Sequence, residues 1–270
     1  MVSKLRVPWA FVLRDFRIET SYKVGFLLRI ANVLGNIAIY YFIAAVFEGV
    51  AAEYLAAYGG NYFAFVLIGV AFMDYLNLGV VALGKSIREG QATGTLELML
   101  LSPTRMPVVL FSSTLWSYLF SSLSVLLYLV VGSLLGMQLD QMNIPFALLS
   151  LFVSILSFNA LGLFSASLVI LMKRSDPLSW LVRFSSAVVG GLYYPIDVLP
   201  NWLQTLSQLL PITHALELMR RSLLNGEGWA ELHNSLLALI ALTVVLLPLG
   251  LLACSLAIRI ARTDGSLSHY

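Results

Sequence analysis

The sequence predicts an all-α polytopic membrane protein with six transmembrane helices, an N-terminal amphipathic interfacial helix and a re-entrant external helical hairpin before the last span. Composition is the first observation behind this fold class, because 59% of the residues are hydrophobic and 11% are charged. Mean hydropathy is +0.88, whereas soluble domains carry close to a quarter charged residues. A soluble core cannot bury this much apolar surface, so we expect the chain to lie in a bilayer.

Uninterrupted apolar length is the second observation. Three segments contain no Asp, Glu, Lys or Arg: residues 106–139, 141–172 and 232–258. Each is longer than the about 20 residues that a helix needs to cross the hydrocarbon core. These segments therefore predict transmembrane helices.

The third observation is the placement of the basic residues. All 16 Lys and Arg residues except Arg220 and Arg221 fall in four clusters, at residues 4–29, 85–105, 173–183 and 259–262. Basic loops stay on the cytoplasmic side, and two crossings fit between each pair of successive clusters. We therefore expect a multi-pass protein of the cytoplasmic (inner) membrane with both termini in the cytoplasm. The net charge of +2 is too small to indicate nucleic-acid binding.

Residues 1–23 are predicted to form the interfacial helix. Apolar side chains recur there at spacings of three and four residues: Leu5, Trp9, Val12, Leu13 and Phe16. The other face carries Arg14, Asp15, Arg17 and Glu19. A basic amphipathic helix with an apolar Trp is typical of a helix lying in the membrane interface, and a solvated linker is the alternative. These charges leave no apolar core for a cleavable signal peptide.

The spans are predicted within one transmembrane domain that covers residues 1–270, with spans one to five in residues 24–193. The expected bounds are about 24–47, 62–84, 108–136 and 145–172, then a fifth span that begins after Asp176-Pro177 and is interrupted at Tyr194-Pro195. Residues 232–270 hold the last span, near 236–258, and a cytoplasmic tail. The single cysteine, Cys254, excludes a disulfide framework.

Residues 194–231 fit neither a span nor an ordinary loop. Pro195, Pro200 and Pro211 interrupt them, and a second short helix is expected near 213–224. An apolar stripe, expected to face protein or lipid, precedes that helix: Val198, Leu199, Trp202, Leu203, Leu206, Leu209 and Leu210. Two helices of about 10 residues cannot cross about 30 Å in one pass, so we expect a hairpin that dips into the membrane and returns.

One motif is rejected. Residues 79–86 match the phosphate-binding pattern G-x-x-x-x-G-K-[ST], with Gly79, Gly84, Lys85 and Ser86 at the defining positions. That loop must follow a strand and leave its backbone N–H groups free for phosphate, whereas this segment closes an apolar membrane helix. Ligand-spaced histidines and paired carboxylates are also missing, so we expect no cofactor, metal or catalysis in this chain.

Two charges, Arg29 and Asp74, fall inside predicted spans. Intramembrane ionisable groups are costly and usually pair or line a wet path. Arg29 is long enough to reach the inner interface, or it has a functional role. Asp74 is too short for that, so it either serves an inner cavity, pairs with Arg29, or packs against polar groups such as Asn77 or Asn32.

The segment 85–107 mixes charge with an exposed Leu98-Met99-Leu100-Leu101 run, which favours contact with a membrane surface or a partner protein. Within it, Glu89-Gly90, Gly94-Thr95-Leu96-Glu97-Leu98 and Leu101-Ser102-Pro103 resemble a cytoplasmic loop of type-2 ABC exporter permeases. The external hairpin motif of that family is similar to Tyr194-Pro195-Ile196-Asp197-Val198-Leu199-Pro200, continued by Trp202-Leu203, Leu210-Pro211-Ile212-Thr213, Leu216-Glu217, Arg220 and Gly226. The resemblance covers nearly the whole chain.

The resemblance implies the transmembrane subunit of an ATP-driven exporter of an amphipathic drug-like or lipid-like molecule, with a glycan as a further possible cargo. It implies membrane lipid around the chain, a second permease subunit in a homo- or heterodimer, and two separate cytoplasmic ABC ATPase subunits that carry ATP and Mg. ATPase coupling would then involve Arg88, Glu89, Gly94, Thr95 and Glu97. The external gate would involve Tyr194, Pro195, Pro200, Trp202, Pro211, Glu217 and Arg220.

A secondary transporter driven by an ion gradient is the alternative function. Such a protein would need ion ligands near the bilayer midplane and broken helices in both halves of the chain. This sequence offers Asp74 and one interrupted region, and it has no internal repeat.

Overall fold

The computed structural model describes residues 6–21, 23–51, 53–92, 106–172 and 176–263, and these residues form nine α-helices. The helices are α1 (Arg6–Ser21), α2 (Lys23–Ala51), α3 (Tyr62–Ala92), α4 (Met106–Leu134), α5 (Ile144–Met172), α6 (Pro177–Val188), α7 (Asn201–Ser207), α8 (Pro211–Leu224) and α9 (Trp229–Thr263). Short 3-10 turns lie at Ala56–Tyr58 and Ile196–Val198. The all-helical prediction is therefore confirmed for the described residues.

Within the described residues, five helices, α2, α3, α4, α5 and α9, are long and apolar enough to cross a membrane. The chain is a multi-pass membrane protein. The predicted fifth crossing differs, because α6 has 12 residues and so spans about 18 Å, short of the about 30 Å of the hydrocarbon core. The count of six spans stays a prediction.

Helix α5 lies at the centre of the bundle, packed between α3 and α9. Glycines permit both contacts. A Cβ atom on Gly79 of α3 would lie 2.5 Å from the Cβ of Phe158, and one on Gly162 of α5 would overlap the carbonyl oxygen of Gly79. A Cβ on Gly250 of α9 would lie 2.9 Å from the carbonyl oxygen of Ala160. Gly79 is thus a packing residue inside continuous helix, and residues 79–86 form no phosphate-binding loop.

Polar side chains add links between the central helices. The amide of Asn159 in α5 donates to the Tyr118 hydroxyl of α4 at 2.8 Å. The Tyr75 hydroxyl of α3 donates to Ser122 of α4 at 2.8 Å. Such bonds contribute about 0.6–2 kcal/mol each between membrane helices, so they help to fix the register of α3, α4 and α5.

The start of α6 is set by Asp176 and Pro177. Proline is well tolerated at the first helical position because it lacks an N–H that the helix would leave unpaired anyway. The Asp176 carboxylate accepts the backbone N–H of Ser179 at 3.1 Å, which caps the helix. It also accepts the Ser165 hydroxyl of α5 at 2.7 Å. Asp176 therefore both begins α6 and holds it against α5.

Candidate functional site

A polar cavity of about 600 Å³ lies at one end of the bundle, among α1, α2, α3, α4 and α6. We call this the α1 end; it contains α1, the start of α2, the end of α3 and the start of α4. Eight charged side chains line the cavity: Arg14, Asp15, Glu19, Arg29, Asp74, Lys85, Glu89 and Arg183. Serine and asparagine side chains fill much of the remaining lining, so the cavity is suited to a polar or charged group.

Glu19 connects α1 to two spanning helices. Its Oε1 lies 3.0 Å from the Nη1 atom of Arg29 in α2, and its Oε2 accepts the indole N–H of Trp116 in α4 at 3.3 Å. Phe16 packs edge-on against the Trp116 ring, with centroids 5.3 Å apart. The guanidinium of Arg29 also lies 4.8 Å from the Phe120 ring centroid. Arg29 therefore pairs with Glu19 and not with Asp74.

Asp74 and Asn77 face the same cavity from α3. Residues three apart lie on one side of a helix, which is why both reach it. Among the described residues, Asp74 makes no hydrogen bond or ion pair, and the buried Oδ1 atom of Asn77 accepts no hydrogen bond. The inner part of the cavity therefore contains two acceptor groups, the Asp74 carboxylate and the Asn77 Oδ1 atom, that accept no hydrogen bond from the described residues.

Arg220 organises the opposite end of the bundle, which we call the hairpin end; it contains the start of α3, the α4–α5 loop, α7 and α8. The guanidinium is buried and donates to three backbone carbonyls, those of Phe65 at 3.0 Å, Gly191 at 2.7 Å and Leu192 at 2.8 Å. It also stacks 3.4 Å from the Phe65 ring centroid. Burial lowers the pKa of Arg220 to about 9, so the side chain stays charged at neutral pH.

These contacts make Arg220 a structural link among α3, the turn after α6, and α8. Gly69 permits the approach, because a Cβ there would lie 2.7 Å from the Nη2 atom of Arg220. Gly191 has a φ of 77°, a left-handed conformation that favours glycine. The sequence interpretation grouped Arg220 with external gate residues but did not anticipate its burial.

The neighbouring Arg221 has a different environment. It is half-buried and lies 3.2 Å from the Glu217 carboxylate and 2.5 Å from the Glu227 carboxylate. Burial by itself lowers the pKa of Arg221, but the hydrogen bonds and charges of Glu227 and Glu217 outweigh it and raise the pKa. Glu217 also accepts the Ser235 hydroxyl at 2.8 Å, which connects α8 to α9.

Residues 53–252 of this chain match a family model whose description is "ABC-2 family transporter protein". The chain belongs to the ABC-2 transporter family. The matched residues run from the loop before α3 into α9, so they include the Arg220 contacts and the α3–α5 crossing. Helices α1 and α2 both lie outside the match.

The sequence of this ABC-2 chain is also similar to those of named proteins. It is 24% identical to Nodulation protein J of Sinorhizobium fredii (strain NBRC 101917 / NGR234) over 257 residues, which is 91% of this chain and 93% of that protein. It is also 24% identical to Inner membrane transport permease YhhJ of Escherichia coli (strain K12) over 196 residues, 71% of this chain. That match covers 50% of YhhJ, so the chain spans about half the length of that relative.

Two of the residues of this ABC-2 chain that were predicted to couple to an ATPase, Arg88 and Glu89, lie near the end of α3. Glu89 is exposed and lies 3.6 Å from Lys85, one helical turn away, while Arg88 is half-buried. Gly94, Thr95 and Glu97 lie outside the described residues. The coupling role of this segment therefore stays a prediction.

Prolines divide the hairpin region of the ABC-2 chain as predicted. Pro195 precedes the 3-10 turn, Pro200 precedes α7, and Pro211 is the first residue of α8. The Tyr194 hydroxyl donates to the carbonyl of Val188 and so returns the chain towards α6. The second predicted short helix is present as α8.

Three large side chains of the apolar stripe, in α7 and just after it, are exposed. Trp202 is 66% exposed, Leu206 47% and Leu209 65%. The described residues of this chain therefore leave Leu206 and Leu209 uncovered, and the prediction that their stripe faces protein or lipid stays a prediction.

Sequence reasoning missed Glu19 and Trp116 as functional candidates. Glu19 was placed on the polar face of α1, but its partners lie in other helices, and Trp116 is 97 residues away along the chain. Asn77 was considered solely as a polar neighbour of Asp74. Its three-residue spacing from Asp74 is the local signal that indicates a shared cavity face.

Proposed function

We propose that this chain is the membrane subunit of an ATP-driven exporter that moves an amphipathic, drug-like or lipid-like molecule. Membership of the ABC-2 family carries this proposal. In it, the chain forms a dimer with a second permease subunit and is driven by two cytoplasmic ATPase subunits that bind ATP and Mg. The permease itself contributes the path through the bilayer and no catalytic group.

The proposal includes a membrane arrangement. The α1 end lies on the cytoplasmic side, α1 lies in the inner interface, and α6 with α7 and α8 forms a broken crossing and a re-entrant hairpin at the outer side. The clustering of Lys and Arg supports this orientation. The exposed Trp9 and the polar face of α1 support the interfacial placement. The lengths of α6, α7 and α8, at 12, 7 and 14 residues, support a broken element.

A path for mechanical coupling follows from the contacts of Glu19. Closure of the ATPases would push on α1 and on the segment after α3. Because Glu19 contacts Arg29 of α2 and Trp116 of α4, movement of α1 would displace both helices together. We propose that this displacement opens a path at the dimer interface, with the hairpin as the outer gate.

We expect the tagged chain, extracted from its native membrane, to co-purify with an ABC ATPase and the complex to hydrolyse ATP in nanodiscs. Within that complex, Glu19→Gln keeps a hydrogen-bonding group for Trp116 but removes the charge that pairs with Arg29. Hydrolysis stimulated by permease assembly should fall about fivefold, in the lower range of allosteric coupling energies. Hydrolysis rates and ATPase stoichiometry are the measurements.

Asp15→Asn is the matched control, because Asp15 pairs with its neighbour Arg14 inside α1 and connects no other helix through that pair. It should leave the stimulated hydrolysis unchanged. A chain that purifies without an ATPase, and that moves solute in response to a proton or sodium gradient, would contradict the proposed function.

We expect the proposed orientation to appear in cysteine labelling. In a Cys254→Ser background, single cysteines at Ser3, Thr104, Ser175 and Ser268 should react with an impermeant maleimide from the cytoplasmic side alone, because all four positions lie in or beside the basic clusters. Labelling of intact cells and of inverted vesicles measures this. Asp140→Cys, in the exposed α4–α5 loop, should react from outside. External labelling at Thr104 or Ser175 would overturn the orientation.

A further inference from the structure

Among the described carboxylates that line the polar cavity, Asp74 is the one without an ion-pair partner. Arg14 pairs with Asp15, Arg29 with Glu19, and Lys85 with Glu89. Arg183 is the remaining cation of the described lining. It is exposed on α6, its Nε donates to the carbonyl of Ser179, and it makes no ion pair with Asp74.

Asp74 is half-buried in the middle of a spanning helix. A carboxylate at that depth is costly unless a cation or donor accompanies it. Asn77, one turn further along α3, offers a second acceptor whose Oδ1 is buried without a hydrogen bond. Both features favour a ligand that brings positive charge and donors into the inner part of the cavity.

A second cavity of about 320 Å³ continues from the first, between α2 and α4. The two cavities share Arg29, Val33, Phe120 and Ser124. Beyond these residues the lining is entirely apolar: Phe26, Ile30, Leu123, Leu126, Leu127 and Val130. Leu123, Leu126 and Val130 are exposed on the outside of the bundle, so this groove opens sideways, where lipid would lie.

A polar chamber with an unpaired carboxylate therefore joins an apolar groove that opens towards lipid. Both volumes fall within the range of about 300–1,000 Å³ that is usual for small-molecule sites. We propose that Asp74 and Asn77 bind the cationic head group of an amphiphile whose aliphatic tail lies in the groove between α2 and α4. The inference rests on the proposed function and names its cargo class: a cationic amphiphile that enters from the membrane.

Binding to the full chain in nanodiscs of zwitterionic lipid tests the proposal. The probe is tritiated dodecylammonium, whose N–H groups can donate to both acceptors, measured by scintillation proximity, with unlabelled probe defining specific binding. Asp74→Asn preserves the size of the side chain and removes its charge, so the Kd should rise at least about tenfold. Asp140→Asn, the same substitution in the exposed α4–α5 loop, should leave the Kd unchanged. Dodecyl sulfate and dodecanol should compete at least about tenfold more weakly than the unlabelled probe.

A second substitution tests whether the aliphatic tail lies in the groove between α2 and α4. Leu126→Trp narrows the groove at an exposed position, so it should weaken binding of the dodecyl probe more than that of hexylammonium. Equal affinities of wild type and Asp74→Asn, or equal competition by the anionic and cationic detergents, would overturn the proposal. The binding assay contains no ATPase, so its failure leaves ATP-driven export standing. Failure of ATPase co-purification would in turn leave a measured binding site.

A final measurement separates exported cargo from a resident lipid that fills the same site. Inverted vesicles carrying the chain with its ATPases should accumulate the probe when ATP is added, and Asp74→Asn should reduce that accumulation at least about tenfold, in parallel with its loss of binding. Binding that depends on Asp74 without ATP-dependent accumulation would identify a resident lipid site and overturn the assignment as cargo.

Discussion

Replacing Arg220 with Ala is expected to lower the free energy of unfolding by about 4 kcal/mol, because the guanidinium is buried and donates to three backbone carbonyls in two other parts of the chain. Its loss leaves the carbonyls of Phe65, Gly191 and Leu192 without their donors and opens a cavity beside the Phe65 ring. Cys254 supplies the measurement, since it is the single cysteine and is buried. The temperature at which a thiol-reactive dye labels it should fall markedly.

Two further substitutions, Arg220→Lys and Arg221→Ala, show whether the loss of stability comes from the guanidinium contacts of Arg220. Arg220→Lys should recover little stability, because one ammonium on a flexible stem cannot reproduce the planar guanidinium fork. Arg221→Ala should cost about 1 kcal/mol or less, because the side chains of Arg221 and of its partners Glu217 and Glu227 are each partly exposed. Equal destabilisation by Arg220→Ala and Arg221→Ala would contradict the structural role assigned to Arg220.

The substitution Gly162→Ala is expected to destabilise the chain by about 3 kcal/mol, although Ala has the higher helix propensity by about 1 kcal/mol. The new Cβ would overlap the carbonyl oxygen of Gly79, so α3 and α5 would have to separate. Overpacking of this kind costs about 1–3 kcal/mol, and the upper end applies because both partners are helix backbone. The labelling temperature of Cys254 again measures the effect.

Gly35→Ala is the matched control for this substitution. Gly35 is exposed on α2, and a Cβ there would meet nothing within 4 Å. Helix propensity alone should act at that position, so stability should stay equal or rise. If Gly162→Ala behaved like Gly35→Ala, α3 and α5 would not cross at Gly79 and Gly162.

The first four predicted spans agree with the helices to within a few residues at most boundaries. The prediction of 145–172, for example, compares with Ile144–Met172, and 108–136 compares with Met106–Leu134. Apolar length and flanking charge are properties of one segment, so no knowledge of neighbouring helices is needed. The main departure at an end is α3, which continues to Ala92 because charged residues can extend a helix beyond the apolar run.

The fifth predicted span is longer than the helix in the structure, because its end is set by contacts with other segments. Residues 184–196 carry no charge, so apolar length alone extends the span to Tyr194. The chain instead leaves the helix at Val188, takes a left-handed conformation at Gly191, and is held there by Arg220. Gly190-Gly191 is a local sign of a break, but the partner that stabilises the turn is 29 residues away.

The sequence by itself determined that this is a polytopic helical membrane protein, the approximate bounds of its first four spans apart from the end of α3, and that its hairpin region is divided by prolines. These are consequences of hydrophobicity, charge and backbone restriction within single segments. The tertiary structure decided that Arg29 pairs with Glu19, that Asp74 faces the polar cavity without an ion-pair partner among the described residues, and that Arg220 is buried against Phe65, 155 residues earlier. The energy of a charge in a low-dielectric bundle depends on its neighbours in space, and which helices become neighbours is settled by close contacts such as that of Gly79 with Gly162.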